Sequence, residues 1–573
     1  MSGKMLGLFV HAGQSAAAVV VDGRVVAAAA EERFNRVKQS RAFPHSAMRF
    51  CLAASGMDSL RDVDGIAVPW NPAVNMESIN LSGFTQWRRY DPEWMYILPN
   101  QLLSSGLCRP SGDFLKIDMS GDGKAPLYFV DHHLAHMASA VCQAPFSKGL
   151  YVIADEYGEY NSVRVGTFDG SRHSTVKTIP YPHSLGVFYA AMTEYLAFRP
   201  NSDEWKVMGA CAYGNHSRFS CKLEQVFQWD DDAGEWVLDQ RYVEHANMKR
   251  AGYLNDRLAR LVGIPPRNPR QPLTQDHYDL AAAVQHVAEK RIFQLVDRYL
   301  GETGETSLVL AGGCFMNSLA NGKILGNTSA KRLFVPYAAA DNGGAMGAPL
   351  FVDRFVLGNV RDNPLPPIPY LGPEFSERQI EDVLKKFKLK YRRLGNVSAE
   401  VAKILADGKL VGWFQGRMEY GERALGNRSI LADPRRPEMK DSINSAVKYR
   451  EAFRPFAPSV LEEFASEYFE IPDGVRVPYM EQVYPIRPEK RPQVPAVVHN
   501  DGTGRLQTVT REMNPLYYGL IDEFRKATGV PILLNTSFNV QGEPIVCTPE
   551  DAIRCFFSCG LDVLVLGAFI LEK

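Results

Sequence analysis

Short apolar runs alternate with longer periodic stretches along the chain, as in proteins that mix strands with helices. Near the N-terminus the runs LGLFV, AAAVVV and RVVAAAA are separated by short breaks, and Asp22-Gly23 between the last two is typical of a hairpin turn. The apolar residues that follow Pro44 favour a helix packed on the resulting sheet. The opening segment is therefore predicted to be mixed α/β structure.

A second set of elements repeats this arrangement further along the chain. Strands are predicted at LYFV and GLYVIAD with a helix opening at Asp131 between them, and EYGEYNSVRVGTF turns into two further strands. A long helix, DLAAAVQHVAEKRIFQLVDRYLGE, precedes the buried strand SLVLAGG. Each unit opens with strands and carries a glycine-rich turn near an aspartate. This pattern predicts a duplicated nucleotide-binding fold.

The chain is predicted to form two domains joined by a proline-rich linker. Residues 361–375 contain five prolines and separate a domain at 1–360 from one at 376–573. The second domain starts with the helix SERQIEDVLKKFK and contains strands at LVGWFQ and PILLNTSF, so it is α/β as well. The aromatic-rich segment 75–115 fits either a lid that lines a pocket or a helical surface insertion.

Composition excludes several classes of protein. The 573 residues include 64 Lys plus Arg and 65 Asp plus Glu, and 45% are hydrophobic, which is ordinary globular composition without a bulk charge for nucleic acid or membrane. No apolar run reaches the roughly 20 residues of a membrane span. The nine cysteines lack a CxxC pair, so reduced thiols in a cytoplasmic protein are expected. His11 and Gln14 interrupt the first apolar stretch, which favours a strand over a signal peptide.

Two histidines and two aspartates form a candidate metal site. His132 and His136 are four residues apart on one helical face, and His133 stands where the glutamate of an HExxH peptidase would be. Asp155 and Asp341 each follow a strand beside turn glycines. Such ligands suit iron(II), manganese or zinc, whereas the histidine pair alone would more often be structural.

Two further motifs indicate nucleotide or phosphate binding. In AGGCFMNSLANGK, Gly312 and Gly313 end a strand, and Asn317 and Asn321 share a face of the next helix. Tight strand-to-helix packing would explain the same glycines. Between 417 and 454, nine basic residues outnumber six acidic ones, which favours an anion site over a solvated surface because Arg454 stands among aromatics and prolines. The nine are Arg417, Arg423, Arg428, Arg435, Arg436, Lys440, Lys448, Arg450 and Arg454.

The chain resembles the NodU/CmcH family of O-carbamoyltransferases across nearly its whole length. The stretches that carry the resemblance are EERFNRVK, DHHLAHMASA, SLGVFYAAMTEYLAF, DEWKVMGACAYG, GGCFMNSLANG, GRMEYGERALGNRSILADPR, KYREAFRPFAPSV, DGTGRLQTV and LLNTSFNVQGEPIVCTPEDA. The resemblance implies an actin/sugar-kinase-like (ASKHA) N-terminal domain, similar to the tRNA threonylcarbamoyl-transferring subunit. It also implies a YrdC-like α/β C-terminal domain.

The resemblance further implies a two-step reaction. In the C-terminal domain, carbamate from carbamoyl phosphate attacks the α-phosphorus of ATP, with Mg²⁺, to give carbamoyl adenylate and pyrophosphate. In the N-terminal domain, a hydroxyl of a small natural product or sugar takes the carbamoyl group. The implied carbamoyl phosphate and nucleotide ligands are Arg417, Arg423, Arg428, Lys448, Arg454, Arg505, Asn535, Ser537 and Asn539, of which Arg423, Lys448, Arg505 and Ser537 are expected to be catalytic.

The resemblance also assigns the N-terminal site. It maps Fe²⁺ onto the four candidate metal ligands and a nucleotide near the glycine and asparagine pairs, and it allows a homodimer. The implied metal ligands are His132, His136, Asp155 and Asp341, and the implied nucleotide contacts are Gly312, Gly313, Asn317 and Asn321.

Three positions depart from the family pattern. Gly13-Gln14 replace a His-Asp pair that is expected to activate the acceptor. His11 is the candidate substitute for that pair, and a plain structural role is the alternative for His11. Glu156 stands where the family has glycine, and Glu422 where it has proline. The alternatives are a tRNA threonylcarbamoyl-type transferase, a metallohydrolase that uses only the HxxxH site, and a non-enzymatic actin-like nucleotide-binding module.

Overall fold

The computed structural model describes residues 3–10, 14–71, 113–118, 125–243, 252–359, 367–448, 454 and 456–573. Within residue 448 only the backbone is described. His11, Gly13, the aromatic segment up to residue 112 and the Lys448 side chain therefore lie outside the described part of the chain, and the predictions that concern them remain predictions.

The first sheet has six strands and begins with the predicted hairpins. Its strand order is β3-β2-β1-β4-β6-β5, in which β1 to β3 form an antiparallel meander and β4 and β6 run parallel to β1. β5 closes the edge as the antiparallel partner of β6. The strands are β1 (Lys4–Phe9), β2 (Ala16–Val21), β3 (Arg24–Ala30), β4 (Gly65–Val68), β5 (Phe114–Ile117) and β6 (Leu127–Val130).

The second sheet repeats the topology of the first. Its order is β9-β8-β7-β12-β13, with an antiparallel meander followed by two parallel strands. The strands are β7 (Lys148–Ala154), β8 (Asn161–Asp169), β9 (Arg172–Pro180), β12 (Ser307–Ala311) and β13 (Arg332–Phe334), and β10 (Phe227–Asp230) pairs separately with β11 (Glu235–Leu238). The shared topology confirms the predicted duplicated α/β fold of the actin/sugar-kinase-like class.

The helices of these two units cover the sheets. They are α1 (Glu32–Asn35), α2 (His45–Ala54), α3 (His132–Val141), α4 (Leu185–Tyr195), α5 (Glu204–Ala210), α6 (Ser220–Val226), α7 (Asp256–Val262), α8 (Gln275–Thr303), α9 (Ser318–Asn327) and α10 (Gly344–Phe351). The predicted helices after Pro44 and Asp131 are α2 and α3, and the long predicted helix is α8. Among the helices within the described ranges, none is both long enough and apolar enough to cross a bilayer.

The C-terminal part is built on one nine-stranded mixed sheet. Its order is β14-β22-β21-β15-β16-β20-β17-β19-β18. The strands are β14 (Arg392–Arg393), β15 (Val411–Phe414), β16 (Arg428–Ala432), β17 (Ala457–Leu461), β18 (Gln482–Pro485), β19 (Thr503–Val509), β20 (Ile532–Ser537), β21 (Val563–Leu566) and β22 (Phe569–Glu572). Its helices are α11 (Glu377–Lys386), α12 (Val397–Ala406), α13 (Met439–Ile443), α14 (Ala465–Tyr468), α15 (Pro515–Thr528) and α16 (Pro549–Ser558). This part is α/β, as predicted.

The C-terminal part packs directly on the first sheet. Tyr370, Tyr420 and Met480 belong to the same buried cluster as Phe9 of β1. The Leu371 carbonyl, within the predicted linker, accepts hydrogen bonds from the Ala28 N–H (3.2 Å) and from Arg417 Nη2 (2.8 Å). The described end of the linker is therefore part of the packed structure, and the domain boundaries stay a prediction.

Gly312 closes the turn at which β12 meets the adjacent end of β7. Its φ is +97°, and a Cβ at this position would lie 2.2 Å from the Ala154 carbonyl oxygen. Since β7 and β12 are parallel neighbours, their carboxyl ends bring the segments after Ala154 and Ala311 together. Tight packing between strand and helix, the alternative to nucleotide binding, therefore explains the conformation of Gly312.

We expect Gly312→Ala to lower the thermal unfolding midpoint markedly. The left-handed backbone costs about 2 kcal/mol for a residue with a Cβ, and the contact with Ala154 adds to that cost. Gly301→Ala is the matched control, because Gly301 lies in α8 with nothing within 4 Å of its Cβ position. Calorimetry should show a neutral or slightly raised midpoint for the control. An unchanged midpoint for Gly312→Ala would contradict this account.

Candidate active site

Two histidines and two aspartates from three separate segments of the chain meet at one point. His132 and His136 are one turn apart on α3, which is buried throughout, Asp155 follows β7, and Asp341 follows β13 after a loop. One ligand atom from each of the four residues lies within 4.8 Å of all the others. The structure thus brings together the four residues that the sequence singled out.

The distances within this group suit a single metal ion. The two Nε2 atoms of His132 and His136 are 3.2 Å apart. Asp155 Oδ2 lies 3.7 Å from His132 Nε2 and 3.2 Å from His136 Nε2, and Asp341 Oδ1 lies 3.6 Å from both. Metal–ligand bonds of about 2.1 Å in a tetrahedron separate ligand atoms by about 3.4 Å. The donors and their spacing therefore fit a divalent transition metal.

Hydrogen bonds from neighbouring backbone orient these side chains. His132 Nδ1 lies 3.2 Å from the Pro69 carbonyl oxygen, so Nδ1–H donates there and Nε2 is left for a metal. Asp155 accepts hydrogen bonds from the Gly313 N–H at 3.1 Å and from the Glu156 N–H at 2.9 Å. Gly313 therefore positions a candidate ligand.

Two carboxylates, Asp131 and Glu159, accept hydrogen bonds from the backbone of the first turn of α3. The Asp131 carboxylate accepts from the Leu134 N–H (2.9 Å) and pairs with Arg164 (2.7 Å). The buried Glu159 carboxylate accepts from the His132 N–H at 2.9 Å, and burial together with Asp131 raises the pKa of Glu159 to about 8. Sequence reasoning missed Glu159, although it lies four residues after Asp155.

The group of four holds opposite charges close together. Burial alone would lower the pKa of His132 and His136, but Asp155 and Asp341 outweigh it and raise both. Burial would raise the pKa of the Asp155 and Asp341 carboxyl groups, but the two histidines outweigh burial and hold both pKa values below the usual range. By contrast, burial and the neighbouring His132 hold the pKa of His133 well below that of an ordinary histidine, so His133 is neutral.

One continuous cavity of about 1120 Å³ is lined by two of the four residues, Asp155 and Asp341. From the N-terminal part it is lined by Gln14, Lys38, Asp155, Glu156, Gly313, Asn317 and Asp341 among others. From the C-terminal part it is lined by Glu422, Arg423, Lys440, Arg454, Arg505, Asn535, Ser537 and Asn539 among others. The cavity therefore joins Asp155 and Asp341 of the candidate metal site to most of the predicted phosphate ligands.

Two family models match the two parts of the chain that line this cavity. Residues 4–350 match the model described as "Carbamoyltransferase N-terminus", and residues 402–573 match "Carbamoyltransferase C-terminus". The chain belongs to the carbamoyltransferase family.

Relatives and a solved structure place this carbamoyltransferase among known proteins. Nodulation protein NolNO of Sinorhizobium fredii is 38% identical, over 99% of this chain and 79% of its own length. Nodulation protein NolO of Bradyrhizobium diazoefficiens is 40% identical, over 78% of this chain and 79% of its own length. The structure of T. kodakarensis HypF is 14% identical with a TM-score of 0.32, over 63% of this chain and 49% of its own.

Two of the predicted phosphate ligands of this carbamoyltransferase lie away from the cavity lining. Arg428 is fully buried, and its guanidinium donates to the carbonyl oxygens of Pro373, Gln415, Gly416 and Asn427. Arg417 donates to the carbonyl oxygens of Val26 and Leu371. These contacts give both arginines structural partners, and their assignment as phosphate ligands stays a prediction.

Asn321 and Gly312 also serve packing. The Asn321 amide donates to the carbonyl oxygens of Phe315 (2.7 Å) and Glu481 (3.0 Å), so it ties α9 to the C-terminal part. Asn317, by contrast, lines the cavity and is held by Gln285 through two hydrogen bonds of 3.0 Å. Of the predicted nucleotide contacts, Gly313 and Asn317 are the two that line the cavity.

Residues outside the predicted set organise the cavity wall. The Arg454 guanidinium carbon lies 3.6 Å from the centroid of the Trp205 ring, which belongs to α5 of the N-terminal part. The Glu419 carboxylate accepts from the backbone N–H groups of Leu425, Asn427 and Arg428, at 2.7, 2.7 and 3.1 Å, and so shapes the loop that carries Arg423. Trp205 and Glu419 lie within motifs that carry the family resemblance, and those motifs were the signal by which the sequence could have identified them.

The EERFNRVK motif ties the two parts of the chain together. Arg36 donates to the carbonyl oxygens of Pro544 and Ile545, both at 2.7 Å, and Arg33 donates to the Gly421 carbonyl oxygen at 3.2 Å. Lys38 of the same motif lines the cavity, and burial lowers its pKa. The motif therefore holds the cavity walls against each other.

We expect the protein to bind about one divalent transition metal ion per chain. His136→Ala should weaken Co²⁺ binding by more than about 100-fold, because a ligand is lost from a group of four. His216→Ala is the control, since His216 lies outside the group and contacts Ser220. Titration of the metal-free protein, followed by the visible absorption of Co²⁺, measures both. Equal Co²⁺ affinity in His136→Ala and wild type would contradict the assignment.

Proposed function

We propose that this protein is an ATP- and carbamoyl-phosphate-dependent O-carbamoyltransferase. Its C-terminal part would make carbamoyl adenylate, and its N-terminal part would transfer the carbamoyl group to a hydroxyl of a small natural product or sugar. The observation that carries this proposal is the single cavity lined by Asp155 and Asp341 on one side and by Arg423, Arg454 and Arg505 on the other.

The arginines supply what adenylate formation requires. When a carbamate oxygen attacks the α-phosphorus of Mg²⁺-ATP, pyrophosphate leaves and negative charge increases on the phosphoryl oxygens. Arg423, Arg454 and Arg505 face the cavity from separate segments, so they can neutralise that charge. The Arg454 guanidinium carbon lies 3.6 Å from the centroid of the Trp205 ring, and this cation–π contact holds the charged group at the cavity wall. Ser537 and Asn539 add polar groups at the same wall.

The N-terminal end of the cavity suits transfer. Gly313 and Asn317 line the wall where the nucleotide of carbamoyl adenylate would lie. A divalent ion held by His132, His136, Asp155 and Asp341, with iron(II) as our proposal, would polarise the acyl adenylate. The Gly313 and Glu156 N–H groups keep Asp155 oriented towards the histidines. An acceptor hydroxyl then attacks the carbamoyl carbon, and AMP leaves.

A shared cavity also protects the intermediate. Carbamoyl adenylate reacts with water, so exclusion of bulk solvent between the two steps limits its loss. The contacts of Arg33 and Arg36 across the two parts hold the walls of this shared cavity together. The metallohydrolase alternative leaves the arginine-lined end of the cavity without a substrate. A non-enzymatic nucleotide-binding module leaves the four candidate metal ligands without a role.

The first experiment measures pyrophosphate and AMP release from ATP, with and without carbamoyl phosphate and without acceptor, in wild type and Lys448→Ala. The proposal expects pyrophosphate only when carbamoyl phosphate is present, and its loss in the variant. If ATP is untouched, or is cleaved equally without carbamoyl phosphate, the proposal fails at its first step. Threonylcarbamoyl transfer would require threonine and bicarbonate in place of carbamoyl phosphate.

A further inference from the structure

The connection between β7 and β8 carries two acidic residues that face α3. Asp155 opens the connection as a candidate metal ligand, and Glu159 follows four residues later, two before β8 begins. A hydrogen bond from the Gly158 N–H to the Asn161 carbonyl oxygen (2.7 Å) closes a turn around Glu159. Glu159 is 7% exposed and is not among the residues that line the cavity. Its carboxylate therefore acts on its protein neighbours and not on a substrate.

The Glu159 carboxylate links two segments of backbone that both belong to the surroundings of His132. Its Oε1 accepts hydrogen bonds from the Asn71 N–H at 2.6 Å and from the His132 N–H at 2.9 Å. Its Oε2 lies 3.1 Å from the same His132 nitrogen. Asn71 ends the tripeptide directly after β4, and the Pro69 carbonyl oxygen of that tripeptide lies 3.2 Å from His132 Nδ1.

The ring of the residue between Pro69 and Asn71 contacts the same histidine. The Trp70 ring meets the His132 ring edge-on, with 5.7 Å between the centroids. One carboxylate thus holds the backbone of His132 together with the tripeptide that contacts both the edge of its ring and its Nδ1 atom.

We propose that Glu159 is the positioning residue of the candidate metal site. By accepting from the N–H groups of Asn71 and His132, it keeps the Pro69 carbonyl oxygen on His132 Nδ1 and so presents His132 Nε2 to the ion. The proposal rests on the proposed function, because it takes the four candidate ligands to hold the metal ion used there. A carbonyl acceptor on one ring nitrogen fixes the tautomer and the ring orientation of a ligating histidine.

The start of α3 favours a carboxylate at this position. The first N–H groups of a helix have no partner within the helix. Glu159 and Asp131 accept from two N–H groups at this end of α3, those of His132 and Leu134. Arg164 pairs with Asp131 at 2.7 Å and acts by charge on Glu159 as well, so it offsets the negative charge of both. A glutamine at 159 would keep one acceptor oxygen but bring an amide NH₂ group towards the His132 N–H.

Co²⁺ binding to Glu159→Ala and Glu159→Gln tests this role, with Glu31→Ala as the matched control. Glu31 is also buried, and its carboxylate also accepts from two N–H groups at the start of a helix, those of Ser46 (3.3 Å) and Ala47 (2.8 Å) in α2. It lies outside the group of four candidate ligands. Titration of the metal-free proteins gives the Co²⁺ affinity, the visible absorption of the bound ion reports its coordination, and calorimetry gives the unfolding midpoint.

Glu159→Ala should weaken Co²⁺ binding by about 10- to 100-fold and change the absorption of the bound ion, as loss of a second-layer partner of a ligating histidine does. Glu159→Gln should fall between the alanine variant and wild type, because it keeps one acceptor oxygen. Glu31→Ala should lower the unfolding midpoint but leave both the Co²⁺ affinity and the absorption unchanged.

Wild-type Co²⁺ affinity and absorption in a folded Glu159→Ala would overturn the proposal. An equal loss of affinity in Glu31→Ala would overturn it too, since the effect would then follow stability. If Glu159→Ala does not fold, Glu159→Gln decides by the same two criteria. A wild type that binds no Co²⁺ would reject the metal site and this proposal together. Absence of carbamoyl-phosphate-dependent pyrophosphate release in wild type would instead reject the proposed function, while the Co²⁺ titrations would still decide the role of Glu159.

Discussion

We expect Asp341→Asn to abolish carbamoyl transfer while leaving carbamoyl-phosphate-dependent pyrophosphate release intact. Asp341 Oδ1 lies 3.6 Å from Nε2 of both His132 and His136, so the carboxylate contributes one of four donors and one of two negative charges. Asparagine keeps the shape but removes the charge, which should lower metal affinity and transfer by more than about 100-fold. With methanol, the smallest alcohol, as the acceptor, methyl carbamate formation reports the transfer step, and pyrophosphate release reports the adenylation step.

The control for this variant is Asp297→Asn. Asp297 accepts hydrogen bonds from Ser329 on the surface, away from the cavity, so both steps should keep their rates. Persistent transfer in an Asp341→Asn protein shown to be free of metal would contradict a metal-dependent step. Loss of both steps together would mean that Asp341 is needed for adenylation as well as for transfer.

The complementary expectation is that Arg505→Gln lowers pyrophosphate release by at least about 100-fold, as removal of one donor to developing negative charge does in other enzymes. Arg505 belongs to β19 and lines the arginine-rich end of the cavity. Glutamine retains hydrogen-bond donors and loses the charge, so the loss measures charge neutralisation. Initial rates of pyrophosphate release with saturating ATP and carbamoyl phosphate provide the measurement.

Two further measurements locate the Arg505 effect. Carbamoyl adenylate supplied by wild-type enzyme should still carbamoylate methanol with Arg505→Gln, because the candidate metal ligands are unaltered. Arg476→Gln should behave as wild type, since Arg476 pairs with Glu462 outside the cavity lining. If Arg505→Gln released pyrophosphate at the wild-type rate, the arginine-rich end would not be the adenylation site.

Residue type and spacing were sufficient to find the candidate metal centre. The i, i+4 spacing of His132 and His136 places both rings on one face of any helix, and an aspartate directly after a strand lies at the strand's carboxyl end. These are local properties of helices and strands, so His132, His136 and Asp155 could be selected before any contact was known. The strand and helix predictions at β2, α2 and α8 succeeded for the same reason.

Roles among the arginines and asparagines could not be told apart in this way. Arg428 and Arg454 both stand in motifs rich in basic and aromatic residues. Arg428, however, lies over Phe414 and donates to four backbone carbonyl groups, whereas Arg454 lines the cavity against Trp205. Trp205 is 249 positions earlier in the chain. Whether a guanidinium meets a ligand or a carbonyl group depends on such distant partners, which composition does not encode.

The amino-acid sequence by itself determined the duplicated α/β architecture and three of the four candidate metal ligands, His132, His136 and Asp155, because these depend on periodicity and spacing within single elements. Asp341 follows β13 only after a loop, so its place beside the histidines was decided by the tertiary structure.

The tertiary structure alone decided which polar residues share the cavity and which bind backbone. It also joined Glu159 to the N–H groups of Asn71 and His132, which lie 88 and 27 positions away in the chain. Such contacts form only when separate parts of the chain pack and bury their shared surface.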